Sequence, residues 1–187
     1  FPKDVRALLH TAQSVGYRIA ILEAVQARNA LQKTLLFEAL VRHFGGFLHG
    51  RVVAVWGLAF KPGTDDLREA PSLVLIDALL AAGARVQATD PAALEGAAQR
   101  NPEAVASGRL RLSANPYACA EGADALVLVT EWKQYRQPDF VRLRGLMRMP
   151  VVFDGRNIYD PGELSTLGFL YHGIGRPVAG HCKVTAA

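Results

Sequence analysis

The hydrophobic pattern changes character once along the chain, near residue 50. Upstream of that point apolar residues recur at three- and four-residue intervals, the period of a helix with one buried face. Val5, Leu8 and Leu9 mark the inward side of a short amphipathic helix over Asp4 to Ser14. Pro2 stands just ahead of it as a start signal, and Gly16-Tyr17 breaks it. Ile21, Leu22, Val25, Leu31, Leu35, Leu36, Leu40 and Val41 carry the pattern on from about Arg18 to His43, and Gly45-Gly46 ends it. Without Gly or Pro inside, these roughly 26 residues predict one rod about 39 Å long at 1.5 Å per residue. A rod of that length beside a small domain favours a bridge between domains or subunits over an ordinary packed helix.

Downstream, short apolar runs alternate with amphipathic ones. Arg51 to Gly57 predicts a buried strand ending in Gly, followed by a long polar loop from Leu58 to Glu69. A helix opens at Pro71 and runs to about Ala82, with Gly83 where a C-terminal cap belongs. Ala84 to Asp90 predicts a second strand, and Asp90-Pro91 supplies the cap and first turn of another helix. A short strand near Arg109 to Leu112 and a small helix around Tyr117 to Ala120 follow. Ala125 to Thr130 is nearly all apolar, as in a parallel sheet covered on both faces. Glu131 to Leu146 predicts a helix interrupted at Pro138, and Val151–Asp154 and Phe169–Tyr171 predict two more strands. The class is therefore α/β: a long helical segment followed by a Rossmann-like, mostly parallel, doubly wound sheet. The division expected is 1–48 for the helical segment and 49–187 for the sheet domain.

Composition narrows the function classes. Half of the 187 residues are hydrophobic and 20% are charged, which supports a packed core and excludes disorder. No apolar run reaches the roughly 18–20 residues that cross a bilayer, so no membrane partner is expected. Net charge is +4, but the 16 Arg and 5 Lys are scattered, which argues against a nucleic-acid stripe. The arginine bias suits bidentate recognition of phosphate or carboxylate, and an arginine-rich genome would account for it equally. Cys119 sits in an Ala-rich segment and reads as a small buried apolar residue; Cys182, beside His181, is near the end of the chain. The two share no metal-ligand spacing and form no disulfide framework, which points to a reducing, cytoplasmic compartment. His10, His43, His49, His172 and His181 form no metal pattern. The chain opens Phe1-Pro2-Lys3-Asp4, without Met, as a processed product or a piece of a longer protein would.

Ligands of open parallel sheets bind beyond the carboxyl ends of the strands. That rule selects the Gly57–Glu69 loop, Asp90, Thr130-Glu131 and Asp154-Gly155-Arg156. The loop lacks the G-x-G-x-x-G fingerprint, because Gly57 has no partner two residues on and Lys61-Pro62 occupies the turn. A dinucleotide cradle of backbone amides is thus not expected. Lys61 and Arg68 either reach an anionic ligand or pair with Asp65, Asp66 and Glu69 in a solvated loop; spacing alone leaves both open. Helix capping accounts for Asp90, and a helix first turn for Glu131. Arg156, after a Gly at a strand end, reads as a phosphate or carbohydrate contact.

The stretch Phe60-Lys61-Pro62-Gly63-Thr64-Asp65-Asp66-Leu67-Arg68-Glu69-Ala70-Pro71-Ser72 resembles the hallmark of the nucleotide-sugar dehydrogenases, the UDP-glucose/GDP-mannose dehydrogenase family. Phe1-Pro2-Lys3-Asp4-Val5-Arg6-Ala7-Leu8 resembles the tail of that family's catalytic cysteine motif. Glu23-Ala24-Val25 with Asn29 is similar to its central helix, and Phe153-Asp154-Gly155-Arg156 to its late substrate-binding segment. The likeness runs in order from residue 1 to about Val178, and its wording favours the UDP-glucose branch. GDP-mannose and UDP-N-acetylmannosamine dehydrogenases share the architecture and remain alternatives.

The resemblance implies three parts: an NAD-binding Rossmann domain, a long central helix that forms a homodimer, and a UDP-binding Rossmann-like domain. This chain holds the latter two. The family's reaction oxidises the C6 alcohol of UDP-glucose to a carboxylate in two hydride transfers to NAD, through a thiohemiacetal and a thioester on cysteine. That cysteine would stand just before Phe1, and neither Cys119 nor Cys182 inherits its role. The resemblance assigns Asp4 an acid–base task, Lys3 and Arg68 contacts to NAD, and Phe60, Lys61 and Arg156 contacts to substrate. No metal is implied. A non-catalytic nucleotide-binding or dimerisation module is the reading from another class, and a self-sufficient NAD-binding fold a third.

Overall fold

Both faces of the sheet are covered at its centre, which is why the central strands read as nearly unbroken hydrophobic runs. The computed structural model describes residues 2–181. The chain divides after Leu35 into two compact units.

In the first unit α1 (Pro2–Ser14) packs against α2 (Ala20–Gln32). Leu9 and Ala12 are buried and Val5 is half-buried, so the inward stripe of α1 follows residues 5, 9 and 12. Leu8, expected to face inward, is 52% exposed, because it lies one residue and about 100° off that stripe. Helix α2 has no buried residue at all; Ile21 is 73% and Leu31 58% exposed.

The single rod expected over 18–43 is two helices, α2 and α3 (Leu35–His43), parted at Lys33-Thr34. The interruption is a tightening of the hydrogen-bond ladder. Lys33 donates its amide to the carbonyls of Ala30 and Leu31, and Thr34 donates its own to Leu31 at 3.1 Å. The Thr34 hydroxyl takes up the same Leu31 carbonyl at 2.9 Å, so a side chain completes what the next turn of helix would have supplied.

The second unit is a sheet with helices on both faces. Its elements after α3 are β1 (Val52–Trp56), α4 (Pro71–Ala81), β2 (Arg85–Thr89), α5 (Leu94–Arg100), α6 (Pro102–Ala106) and β3 (Leu110–Leu112). Then come α7 (Pro116–Ala120), β4 (Ala125–Leu128), α8 (Phe140–Leu146), β5 (Val151–Asp154), α9 (Pro161–Thr166) and β6 (Leu170–Gly173). The six strands are all parallel, in the order β3-β2-β1-β4-β5-β6. Winding therefore reverses between β1 and β4, where Trp56 sits opposite Leu128. That reversal is the switch point at which this architecture opens a crevice.

Strand residues alternate between two cores, as the period of two requires. Val53, Val55, Val127, Val151 and Phe153 face the core shared with Leu40 of α3 and Leu75, Ile76 and Leu79 of α4. Ala54, Trp56, Leu126, Leu128 and Val152 face the core shared with Cys119, Phe140, Leu143 and Leu164. Gly83 closes α4 as its position implied: at φ +78° it lets Ala84 donate back to the Leu79 carbonyl at 3.0 Å.

Two helices begin later than expected. After Asp90 the helix starts at Leu94, because the Asp90 side chain first organises the intervening turn. Beyond Glu131 a single 3-10 turn (Lys133–Tyr135) precedes α8, which opens where Asp139, after Pro138, caps the Arg142 amide at 2.9 Å. Helices α6 and α9, the latter capped by Asp160, are further elements of the structure.

Helix α3 is pinned to the sheet partly by two imidazoles. His172 of β6 stacks on Phe153 with ring centres 4.4 Å apart, and His43 meets His172 edge-on at 5.2 Å. Burial lowers both pKa values; Arg51 lowers His43 further, while His43 and Arg42 act on His172, which falls to about 4. The unfolded chain, with ordinary histidines near 6.5, then binds protons before the folded one does. This contribution to stability is present above about pH 6.5 and lost as pH falls toward 4. The melting temperature is expected to drop between pH 7 and 5, and His172→Phe to flatten that slope in a calorimetric pH series.

Candidate functional site

The carboxyl edge of the sheet is organised by two buried aspartates, one at the end of β2 and one at the end of β5. Asp90 accepts five N–H groups. Its Oδ2 takes the amides of Leu58 at 2.7 Å and Ala59 at 3.0 Å, and the Trp132 indole N–H at 3.0 Å. Its Oδ1 takes the amides of Ala92 at 2.9 Å and Ala93 at 3.0 Å. The cap foreseen for Asp90 is real but is only half of its work. The other half ties the loop after β1 to the segment after β4.

That loop begins at Gly57, with φ +90°. A Cβ there would stand 2.5 Å from the Thr130 Cβ and 2.6 Å from its amide nitrogen, so only glycine lets the two segments cross. The Thr130 hydroxyl donates to the Ala59 carbonyl and the Ser72 hydroxyl to the Leu58 carbonyl. Beyond this anchor the loop closes on itself: the Phe60 amide donates to the Asp66 carbonyl at 2.8 Å. Asp66 also holds the Arg68 guanidinium through Nε at 2.9 Å and Nη2 at 2.7 Å. Asp66 raises the Arg68 pKa by hydrogen bonding and then by charge. Phe60 is half-buried, whereas Lys61 is exposed and its ammonium meets no partner among the described residues.

Asp154 does for β5 what Asp90 does for β2. Its Oδ1 accepts the Arg156 amide at 3.0 Å; its Oδ2 accepts the Tyr159 amide at 2.9 Å and the Tyr171 hydroxyl at 3.2 Å. Asn157 adopts φ +55°, a conformation asparagine tolerates, and exchanges two 2.9 Å bonds with the backbone of Ile174. The Arg156 side chain turns back over β4, donating Nε–H to the Val129 carbonyl at 2.6 Å. Glu131 Oε2 lies 2.9 Å from the same nitrogen. The terminal guanidinium nitrogens of Arg156 have no partner among the described residues.

Phe60 and Lys61 on one side and Arg156 on the other are thus linked through Val129-Thr130-Glu131. Arg68 lies farther along the first loop, turned onto Asp66. Lys3 and Asp4 lie exposed in the first turn of α1, in the first unit. Thr130 is selected by its place at a strand end, whereas Trp132 and Asn157, which also shape the edge, carry little signal in the sequence because their partners are distant along the chain. An Asn just after a strand-end Gly-Arg was the one available signal, since it suits a left-handed turn.

The described residues of this domain do not form a dinucleotide cradle. The amides of Leu58 and Ala59, which follow the β1 glycine, are already spent on Asp90. The space beside Gly57 is filled by Thr130. Cys119 is no nucleophile: burial pushes its thiol up to about 12. Cys182 lies outside the described residues. No cluster of three metal-ligating side chains exists among the described residues.

Fold and edge together define a Rossmann-type α/β domain whose carboxyl edge carries polar and cationic side chains on loops and no glycine-rich backbone cradle among the described residues. Residues 54–161 match the UDP-binding domain of the UDP-glucose/GDP-mannose dehydrogenase family, and the chain belongs to that family. It is 65% identical, over its whole length, to the UDP-glucose 6-dehydrogenase of Pseudomonas aeruginosa, of which it covers 41%. It is 41% identical over 95% of its length to the Rhizobium meliloti UDP-glucose 6-dehydrogenase, covering 39% of that protein. Among solved structures, a UDP-glucose dehydrogenase from Pyrobaculum islandicum superposes with a TM-score of 0.76 at 33% identity. That match covers 95% of this chain and 37% of the archaeal one. The chain therefore spans about two fifths of the length of these relatives.

Removing the Asp90 carboxylate leaves five N–H groups short of an acceptor, the amides of Leu58 and Ala59 among them in the buried interior. At about 1–3 kcal/mol for each buried donor left unsatisfied, Asp90→Ala is expected to cost at least about 3 kcal/mol. Chemical denaturation measures it; a loss below about 1 kcal/mol would show that the carboxylate does not organise the edge.

Proposed function

We propose that this chain is the UDP-sugar-binding part of an NAD-dependent UDP-glucose 6-dehydrogenase, joined to a helical dimerisation segment. On this reading residues 49–187 bind the nucleotide sugar and residues 1–48 form the central helical segment. The observation that carries the reading is the placement of two cationic side chains at the carboxyl edge, Lys61 on the loop after β1 and Arg156 on the loop after β5. Lys61 is unpartnered among the described residues, and Arg156 is held through Nε by Val129 and Glu131. Such side chains suit the diphosphate and hydroxyls of a nucleotide sugar, and Phe60 offers them an apolar flank. Membership of the family and the 65% identity to a UDP-glucose 6-dehydrogenase support the choice of sugar.

The oxidation of the sugar alcohol to a carboxylate belongs to the whole enzyme. Asp4 is proposed as its acid–base group on this chain, and Lys3 as a neighbour of the cofactor. NAD is proposed to bind on another part of the enzyme, because the amides of Leu58 and Ala59 that follow the first strand's glycine are already engaged by Asp90. Arg68 would reach it by leaving Asp66, and a solvent-exposed pair of this kind is easily exchanged. The exposed apolar residues of α2, Ile21 and Leu31 among them, are proposed to meet a second copy of the chain.

The chain is expected to bind UDP-glucose in calorimetry and to produce no NADH when NAD is added. Lys61→Ala should weaken binding by about 1.5–3 kcal/mol, tenfold or more, the value of one charge-assisted contact. Absence of UDP-glucose binding by the folded chain, or an unchanged affinity in the variant, would sink the reading. For the helical segment, Ile21→Asp with Leu31→Asp should convert a dimer to a monomer in sedimentation equilibrium; a dimer that persists would remove α2 from the interface.

A further inference from the structure

We infer that Glu131 is a positioning residue for Arg156, holding its guanidinium in the pose that meets the nucleotide sugar. The inference rests on the proposed function and adds to it a residue that stands ahead of the 3-10 turn, outside any helix.

The contact itself is unusual. Arg156 has one Nε–H, and it is directed at the Val129 carbonyl at 2.6 Å. Glu131 Oε2 stands 2.9 Å from that nitrogen but receives no hydrogen bond; it is a buried oxygen with no donor in the structure. What joins the two side chains is therefore charge, not a shared proton. A carboxylate oxygen withdrawn from water without a donor costs folding free energy, so the contact is a poor device for stability alone. It is a good device for orientation. Val129 fixes the Nε end of the guanidinium, and Glu131 holds the positive charge against β4 from a second direction.

The consequence falls on the terminal nitrogens. With Nε engaged and the side chain about one third exposed, Nη1 and Nη2 make no hydrogen bond among the described residues. A long arginine side chain loses rotamer freedom when it grips a ligand, and a side chain already held loses less. Asp154 contributes at the backbone by accepting the Arg156 amide, so the residue is fixed at both ends. The 3-10 turn that follows Glu131 and the Trp132 indole bond to Asp90 hold Glu131 in turn.

The test is a double-mutant cycle on the 187-residue chain, with UDP-glucose as the probe. Glu131→Gln, which keeps the shape and removes the charge, should raise Kd about five- to tenfold with no fall in melting temperature. In an Arg156→Ala background the same change should alter Kd less than twofold. In the unliganded protein the Arg156 Nε–H resonance should shift or broaden in E131Q, a signature that a purely structural role would not produce. An E131Q affinity equal to the parent's, or an equal loss with and without Arg156, would overturn the assignment while leaving the binding function intact. A folded parent chain that binds no UDP-glucose would instead overturn the function and this assignment with it.

Discussion

The carboxyl edge of this domain depends on the Asp90 carboxylate. It gathers three segments that are remote in sequence: the loop after β1, the turn before α5 and the indole after β4. A carboxylate buried among apolar strands would be costly if bare. Here its two oxygens are surrounded by five N–H groups, which replace the hydration it has given up. Because the Leu58 and Ala59 amides are bound to it, the loop that carries Phe60 and Lys61 leaves the sheet from a fixed origin.

The same interaction explains how a sheet with the strand order of dinucleotide-binding folds departs from their chemistry. In those folds the backbone after the first strand faces a pyrophosphate. In this chain an internal anion occupies that role, and Thr130 crosses so close to Gly57 that no side chain fits between them. The backbone amides at the switch point are thereby engaged, and the cationic side chains Lys61 and Arg156 stand on loops at the rim. Asp154 repeats the device at β5, where it sets the backbone of Arg156. Two aspartates at strand ends thus convert a nucleotide-binding topology into a platform for loops.

Local features were well signalled. The central strands β1, β4 and β5 were legible because both of their faces are buried and their residues are almost all apolar. The ends of α4 were legible because Pro71 and Gly83 act through their own backbone restrictions. The long helix is broken at Lys33-Thr34, where apolar spacing continues but the Thr34 hydroxyl donates to the Leu31 carbonyl. Periodicity records which face is apolar and is blind to such a local exchange of hydrogen bonds. The start of α8 moved for a related reason, since Asp139 outcompeted the earlier positions as a cap.

The candidate site divides in the same way. The residue types at the strand ends, the cationic loop around Lys61 and the missing glycine fingerprint are all readable along the chain. The family likeness is readable there too, because these reside in contiguous residues. What the acids at the strand ends do emerges only in the folded arrangement. Asp90 bonds to residues 31, 32 and 42 positions away, and Glu131 meets an arginine on another strand's loop. A helix cap and a buried clamp use the same carboxylate chemistry. What separates them is the set of N–H groups that folding brings within 3 Å, and that set exists only once the strands are side by side.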